Sequence, residues 1–234
     1  MIRRSLPTAC PQRFAPTGAA RVRRCVRGLV TIRGALFALS STLLAACAQT
    51  PAPVLTAEDQ ATLAQVQTYL DGLRQFHARF NQSGTDGNAD GVLWLERPGR
   101  LRVEYAEPHP RLLLANHGRM LLADLVTGAT TNVPVSNTPL DMLLSDKIML
   151  AGPVTVTSVQ RQPGAFQVGL IKTAAPSQGR LTLQFTAMPL ALTGVVVQDA
   201  AGHTNTLQLF GLYRDSTLDP SLFRYHPAPS PAGE

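Results

Sequence analysis

Cys47 is the residue whose surroundings most clearly indicate covalent chemistry. It ends the segment LAAC at residues 44–47, in which an apolar residue and two small residues precede the cysteine, the order of a bacterial lipobox. Lipidation there would place two or more acyl chains on the new N-terminus, enough for stable membrane anchoring. Ala48 follows, instead of the aspartate often linked to inner-membrane retention, so we expect the outer membrane. The alternative is a plain secretory signal with a chance cysteine.

The residues before Cys47 have the character of an export leader. Residues 34–46 are 13 apolar or small residues after Arg33, too short to span a hydrocarbon core of ~30 Å but typical of a signal-peptide h-region. The preceding basic region is long, which leaves two interpretations open: translation that begins near Val30, or a transit peptide. The lipobox argues against the second. We predict an export leader over residues 1–46 and a linker over 47–55.

Other candidates for chemistry are few. The five histidines are His77, His109, His117, His203 and His226, and none has a partner at the spacing of a zinc site. Cysteines are absent after Cys47, and no nucleophile-elbow, metalloprotease, P-loop or dinucleotide-binding motif occurs. We therefore predict a protein that is not an enzyme, with no metal and no cofactor, and with His77 at the end of a helix.

The charge distribution excludes one class of partner. Residues 1–46 hold eight of the 21 Lys and Arg residues and none of the 15 Asp and Glu residues, which leaves 13 basic and 15 acidic side chains in residues 47–234. The basic balance therefore belongs to the leader. We therefore expect no nucleic-acid partner. Separately, we expect the protein to be a monomer.

Residue spacing then predicts the elements of the exported part. Thr56 is a candidate N-cap for a helix of about 20 residues, whose apolar side chains recur every three or four positions: Leu63, Val66, Tyr69, Leu70, Leu73 and Phe76. Residues 81–90 look turn-rich. Apolar and polar residues then alternate in short segments, at 93–97, 101–105, 155–159, 165–171, 180–185, 194–198 and 204–210. Two apolar segments, at 112–114 and 120–122, flank the turn residues 116–118 and predict another hairpin.

One segment interrupts this alternation. Residues 138–146 have an N-cap threonine and a proline at the first helical position, followed by Leu140, Met142, Leu143 and Leu144, and they predict a short amphipathic helix. The fold class is therefore α+β, mainly β: a curved antiparallel sheet with two helices, over residues 56–226. We expect the Pro-rich residues 227–234 to be disordered.

The order of these motifs resembles the LolA family of outer-membrane lipoprotein carriers. The resemblance spans nearly all of residues 57–226 and is most specific in residues 91–105 (GVLWLERPGRLRVEY). Weaker matches, persuasive through their order, are residues 76–82 (FHARFNQ), 116–118 (NHG), 137–140 (NTPL), 143–144 (LL), 218–219 (LD) and Phe223.

The resemblance implies a half-open, incomplete β-barrel covered by lid helices, with an apolar cavity for acyl chains. It implies that Arg97 hydrogen-bonds to the lid and holds it shut, and that the lid helix carries Leu140, Met142, Leu143 and Leu144. Arg97 shares a strand face with Leu93 and Leu95, where a charge is costly unless it finds acceptors; from the residues alone, an arginine turned to solvent is equally acceptable. The candidate cavity residues are Leu93, Leu95, Leu101, Val103, Tyr105, Leu181, Leu183 and Phe185, with ordinary sheet core as the alternative.

The resemblance also implies a function. A periplasmic carrier of this family takes acylated lipoproteins from an inner-membrane lipoprotein-releasing ABC transporter and delivers them to an outer-membrane acceptor. The lipobox favours an alternative, an outer-membrane-anchored acceptor of the same fold, as in the LolB family. A structural lipoprotein with this fold is a third hypothesis. The expected location is the periplasm, free or tethered to the outer membrane through acylated Cys47.

The interpretation of Cys47 can be tested on the mature protein. We expect mass spectrometry to find an acylated Cys47 as the first residue, and Cys47→Ala to move the protein from the membrane to the soluble periplasmic fraction. Cys25→Ala, a matched change inside the leader, should have no effect. An unmodified N-terminus beyond Cys47 would support the plain secretory signal instead.

Overall fold

Two helices and eleven strands make up residues 54–226, the part of the chain that the computed structural model describes. Their bounds are α1 Ala57–Asp71, β1 Gln75–Gly84, β2 Ala89–Glu96, β3 Arg100–Tyr105, β4 Arg111–Asn116, β5 Arg119–Asp124, β6 Thr130–Pro134, α2 Leu140–Leu144, β7 Val154–Gln162, β8 Ala165–Lys172, β9 Gly179–Thr186, β10 Ala191–Asp199 and β11 Thr204–Arg214. The predicted leader, Cys47 and the predicted tail lie outside the described residues.

The strands form one open antiparallel sheet in the order β6-β5-β4-β3-β2-β1-β11-β10-β9-β8-β7. Each half is a meander of neighbours in sequence, and the two meanders meet where β1 pairs with β11. Register shifts in β1, β7 and β10 indicate bulges, which bend a sheet. The predicted fold class, a mainly β fold with an incomplete barrel and helices, is confirmed.

The first helix begins as predicted but ends sooner. Thr56 caps α1 through a capping box, in which its hydroxyl accepts from the Asp59 amide at 3.1 Å and the Asp59 carboxylate accepts from the Thr56 amide at 2.9 Å. The predicted length of about 20 residues was wrong, since α1 has 15. Gly72 ends the helix, so Leu73 and Phe76 lie beyond it.

The strand β1 was missed by the sequence analysis. The predicted helix ends near Phe76 and His77 and residues 81–90 are a predicted turn, but Phe76, Ala78, Phe80 and Gln82 alternate as the buried side of a ten-residue strand. The helical spacing from Leu73 to Phe76 concealed this period of two. His77 consequently lies in a strand and not at a helix end.

The predicted lid helix is shorter than expected. A single 3₁₀ turn at Val135–Asn137 precedes it, and α2 has five residues. Thr138 does not cap it, because its hydroxyl donates to the Val135 carbonyl at 2.8 Å. The short strand β6 was also missed, since its sequence TTNVP is polar and largely exposed.

Apolar side chains pack on both faces of the sheet. The larger cluster lies between the sheet and the helices, and its fully buried side chains include Val66, Leu70, Phe80, Leu95, Leu181, Leu183 and Phe185. A smaller cluster joins Leu112, Leu114 and Ala123 to the C-terminal residues Leu218 and Phe223, with Trp94 against it. The C-terminal segment therefore covers part of the second face.

Because Leu181 is fully buried, truncation of its side chain should lower the stability of the fold measurably. Leu181→Ala should lower the free energy of unfolding by about 2–5 kcal/mol, because it leaves a cavity in a fully buried site. Leu125→Ala, the same change at a side chain that is 49% exposed, should change it by less than about 0.5 kcal/mol. Urea unfolding of both variants measures the difference, and equal effects would contradict this placement of the core.

Candidate ligand-binding site

An apolar cavity of about 160 Å³ lies between the sheet and α2. Its walls come from strands on both sides of the β1–β11 pair and from the lid helix. The apolar lining residues are Phe76, Leu93, Leu95, Leu101, Val103, Tyr105, Leu113, Leu140, Leu143, Leu192, Val195, Val197, Leu207 and Leu209. Leu140 and Leu143 are the parts of α2 that enter it.

The structure brings together five of the eight predicted cavity residues. Leu93, Leu95, Leu101, Val103 and Tyr105 line the cavity from β2 and β3.

The other three, Leu181, Leu183 and Phe185, lie in the core and outside this lining. Of these, Phe185 packs edge-on against the Tyr69 ring of α1, with centroids 6.0 Å apart. In α2, Met142 and Leu144 are buried but do not line the cavity, unlike Leu140 and Leu143.

The missing wall comes from the second meander. Val195 and Val197 on β10, with Leu207 and Leu209 on β11, alternate towards the cavity. Their period of two was visible in the sequence. What could not be read there was that β11 pairs with β1, which places these side chains beside β2 and β3.

Arg97 is buried, with 3% of its surface exposed, immediately after β2. Its Nη2 donates to the Leu73 carbonyl at 2.7 Å and to the Leu70 carbonyl, and its Nε donates to Leu73 at 3.3 Å. The Leu70 carbonyl lies in the last turn of α1 and the Leu73 carbonyl just beyond it, where the helix dipole makes a positive charge favourable. Burial lowers the pKa of the guanidinium, but an arginine remains charged in proteins.

The contact between Arg97 and the lid region is long by comparison. Its Nη1 is 3.5 Å from the carbonyl of Asp146, just after α2. Two stronger bonds accompany it: the Gly99 amide donates to the Leu144 carbonyl at 2.7 Å, and Arg74 pairs with the Asp146 carboxylate at 2.6 Å. Gly99 in the turn after β2 and Arg74 just after α1 therefore both hold the C-terminal end of α2.

The lid region is also held at two other points. Gln67 of α1 donates to the Ile148 carbonyl at 2.8 Å and accepts from the Leu150 amide at 3.1 Å. On the other side, Lys172 of β8 pairs with Asp141 at 2.8 Å and donates to the Ser136 carbonyl at 2.6 Å. Polar bonds thus surround an apolar contact, the insertion of Leu140 and Leu143 into the cavity.

The described residues 54–226 offer no metal site, since no group of three or more His, Cys, Asp or Glu side chains is placed to hold an ion. His77 is paired with Asp215 at 2.9 Å and stacked on Tyr213. No helix in this part of the chain is both long and apolar enough to cross a membrane. An apolar cavity between an open sheet and a helix is characteristic of a binding protein for apolar ligands.

Comparison with known proteins agrees with this class. The family described as "Outer membrane lipoprotein carrier protein LolA" matches residues 71–226. Two relatives named outer-membrane lipoprotein carrier protein are each 26% identical: one from Alkalilimnicola ehrlichii, with 79% of this chain and 89% of the relative covered, and one from Methylococcus capsulatus, with 73% and 84%. A solved LolA superfamily protein from Nitrosomonas europaea is 10% identical, with a TM-score of 0.40 over 69% of this chain and 97% of the other.

This chain belongs to the LolA family of outer-membrane lipoprotein carriers, since the match covers most of its length. Carriers of this family are non-enzymatic lipoprotein chaperones of the periplasm, so the resemblance seen in the sequence and the prediction of a protein without catalytic activity are confirmed.

The placement of the lid side chains predicts a difference between two neighbours. Leu143→Ala should enlarge the cavity and tighten binding of a fluorescent apolar probe, because the Leu143 side chain occupies space that the probe needs. Leu144→Ala removes the same atoms from a buried site outside the lining and serves as the control. A fluorescence titration compares them, and equal affinities would show that α2 does not compete for the cavity.

Proposed function

We propose that this protein carries acylated lipoproteins from an inner-membrane lipoprotein-releasing ABC transporter to an outer-membrane acceptor. The acyl chains occupy the apolar cavity, and α2 is the lid that closes it when empty. The observation that carries this proposal is the insertion of Leu140 and Leu143 into an otherwise apolar space beside a buried arginine.

The size of the cavity supports a lid that moves. A volume of about 160 Å³ is small beside the roughly 300–1,000 Å³ of pockets that hold drug-sized ligands. Long acyl chains therefore do not fit while α2 is in this position. Displacement of Leu140 and Leu143 opens the space, so the structure described above corresponds to the unloaded form.

Energetics explain why a carrier benefits from such a lid. Each buried methylene contributes about 0.8 kcal/mol, so one chain of some fifteen methylenes would contribute about 12 kcal/mol. Two or three such chains would reach the practical limit of non-covalent affinity, about 20 kcal/mol, and would not be released. A lid whose own leucines fill the empty cavity competes with the cargo and lowers the net affinity.

Arg97 contributes to the same balance. Its hydrogen bonds to the end of α1, and with Gly99 and Arg74 to the end of α2, are those of the closed form. Movement of α2 breaks the bonds to Asp146. Without Arg97 the closed form loses stability relative to the loaded form, and cargo is held longer.

Transfer of a lipoprotein between purified components tests the role of Arg97. We expect Arg97→Leu to accept cargo from the transporter but to pass it to the acceptor at least about tenfold more slowly than the wild type, which corresponds to roughly 1.4 kcal/mol. Transfer is measured as the fraction of lipoprotein bound to the acceptor over time.

Arg119→Leu makes the same substitution at an exposed site and should transfer normally. Release from Arg97→Leu at the wild-type rate would contradict the proposed role of Arg97. Failure of the wild-type protein to accept any lipoprotein would contradict the carrier function itself.

The lipobox at residues 44–47 favours a second candidate, an acceptor of the same fold anchored to the outer membrane through acylated Cys47. The two functions differ in the donor from which the protein takes its cargo and in the recipient to which it passes it. An acceptor takes cargo from a soluble carrier and passes it to a bilayer, whereas a carrier takes it from the transporter. The same purified components distinguish them when the donor is exchanged.

A further inference from the structure

The end of the cavity away from the lid contacts is polar. Its lining there consists of Gln82 on β1 and Tyr105 on β3, together with Asp86 and Asn205. Phe76, six residues before Gln82 on the same strand, lines the opposite end. At ~3.4 Å per residue the wall between them is about 20 Å long, comparable to the ~15 Å hydrocarbon depth of one membrane leaflet.

Gln82 is the unusual residue at this end, because its polar side chain is 94% buried, with 6% of its surface exposed, on an apolar wall. Its Oε1 accepts a hydrogen bond from the Tyr105 hydroxyl at 3.0 Å. Within residues 54–226 its Nε2 makes no hydrogen bond, although this atom is not completely buried. The amide is therefore free to donate to an acceptor that a ligand supplies, and such a bond adds to the affinity.

Arg111 provides a second donor of the same kind. Its guanidinium carbon lies 4.9 Å from the centre of the Tyr105 ring. Its Nε is buried, and no acceptor in the described part of the chain reaches it. Two donors without partners therefore lie near one tyrosine, whose own hydroxyl proton is already used by Gln82.

The charges at this end favour a neutral acceptor. The Asp86 carboxylate accepts from Asn205 at 2.7 Å and adds a negative charge to the mouth of the cavity. Arg111 is opposite Asp124 in the pairing of β4 with β5, which offsets its positive charge. A phosphate or carboxylate would meet no net positive field, whereas a carbonyl oxygen needs only the donors.

We infer that this polar end binds the ester or amide carbonyl groups at the head of a bound acyl chain, with Gln82 Nε2 as the principal donor. The methyl end of the chain then lies towards Phe76 and Arg97, and the head of the lipid lies at the exposed end beside Asp86. The inference rests on the proposed function, because it requires acyl chains in the cavity. It adds a subsite that sets their direction.

Lipids that differ only in their carbonyl groups test this subsite. The mature protein is loaded with a fluorescent apolar probe, which is displaced by a diacylated cysteine lipopeptide with ester-linked chains or by its diether analogue. A short-chain phosphatidylglycerol and its diether analogue form a second pair. The wild type should bind the ester about three- to tenfold more tightly than the ether, as expected for one recovered hydrogen bond.

Substitutions of Gln82 test whether this residue causes the preference for ester over ether lipids. In Gln82→Leu, and in the double variant Gln82→Leu with Tyr105→Phe, the ester-to-ether ratio should fall to about one while ether binding persists. Gln208→Leu, the same change at an exposed residue of β11, should keep the wild-type ratio. If a variant does not fold, the wild-type ratio remains the measurement.

The outcomes separate the subsite from the proposed function. An ester preference in either lipid pair that is lost in the Gln82 variants supports the subsite, and the pair that shows it identifies the lipopeptide or the phospholipid as the source of the carbonyl. A ratio of one with clear binding in both pairs overturns the subsite alone. Failure of every lipid to displace the probe overturns the acyl-chain cavity and the subsite with it.

Discussion

A buried guanidinium requires acceptors, and Arg97 obtains them from the end of α1. The carbonyls of Leu70, in the last turn of α1, and of Leu73, just beyond it, accept its hydrogen bonds, so the guanidinium is buried without losing its partners. These bonds fix the end of α1 against the turn after β2. The same turn holds Leu144 through Gly99, so the placement of one cation contributes to the position of α2.

The hairpin of β2 and β3 serves both faces of the sheet. On one face, Leu93, Leu95 and Val103 line the cavity. On the other, Trp94 packs beneath the C-terminal segment, and its cross-strand partner Arg102 donates to the Leu222 carbonyl at 2.7 Å. Few substitutions satisfy both faces at once, which explains why residues 91–105 were the most informative part of the sequence.

How much the sequence revealed depended on whether the signal was local. The hairpins β2–β3 and β4–β5 were predicted closely because an apolar strand signal and a clear turn signal lie side by side in each. The strand β1 was missed because Phe76 also fits a helical spacing. The cavity was half predicted for a different reason: Val195 and Leu207 belong to it only through the pairing of β1 with β11, and that pairing is not encoded in neighbouring residues.

The pairing of β1 with β11 also bears on when the domain can fold. Phe76 is opposite Arg214, so the centre of the sheet joins residues from the two ends of the domain. Contacts so distant in sequence form slowly, and a chain made from its N-terminus lacks the partner of β1 until almost all of it is available. A periplasmic protein gains from this order, because a sheet whose central ladder is completed last delays folding of the chain until it has passed through a membrane.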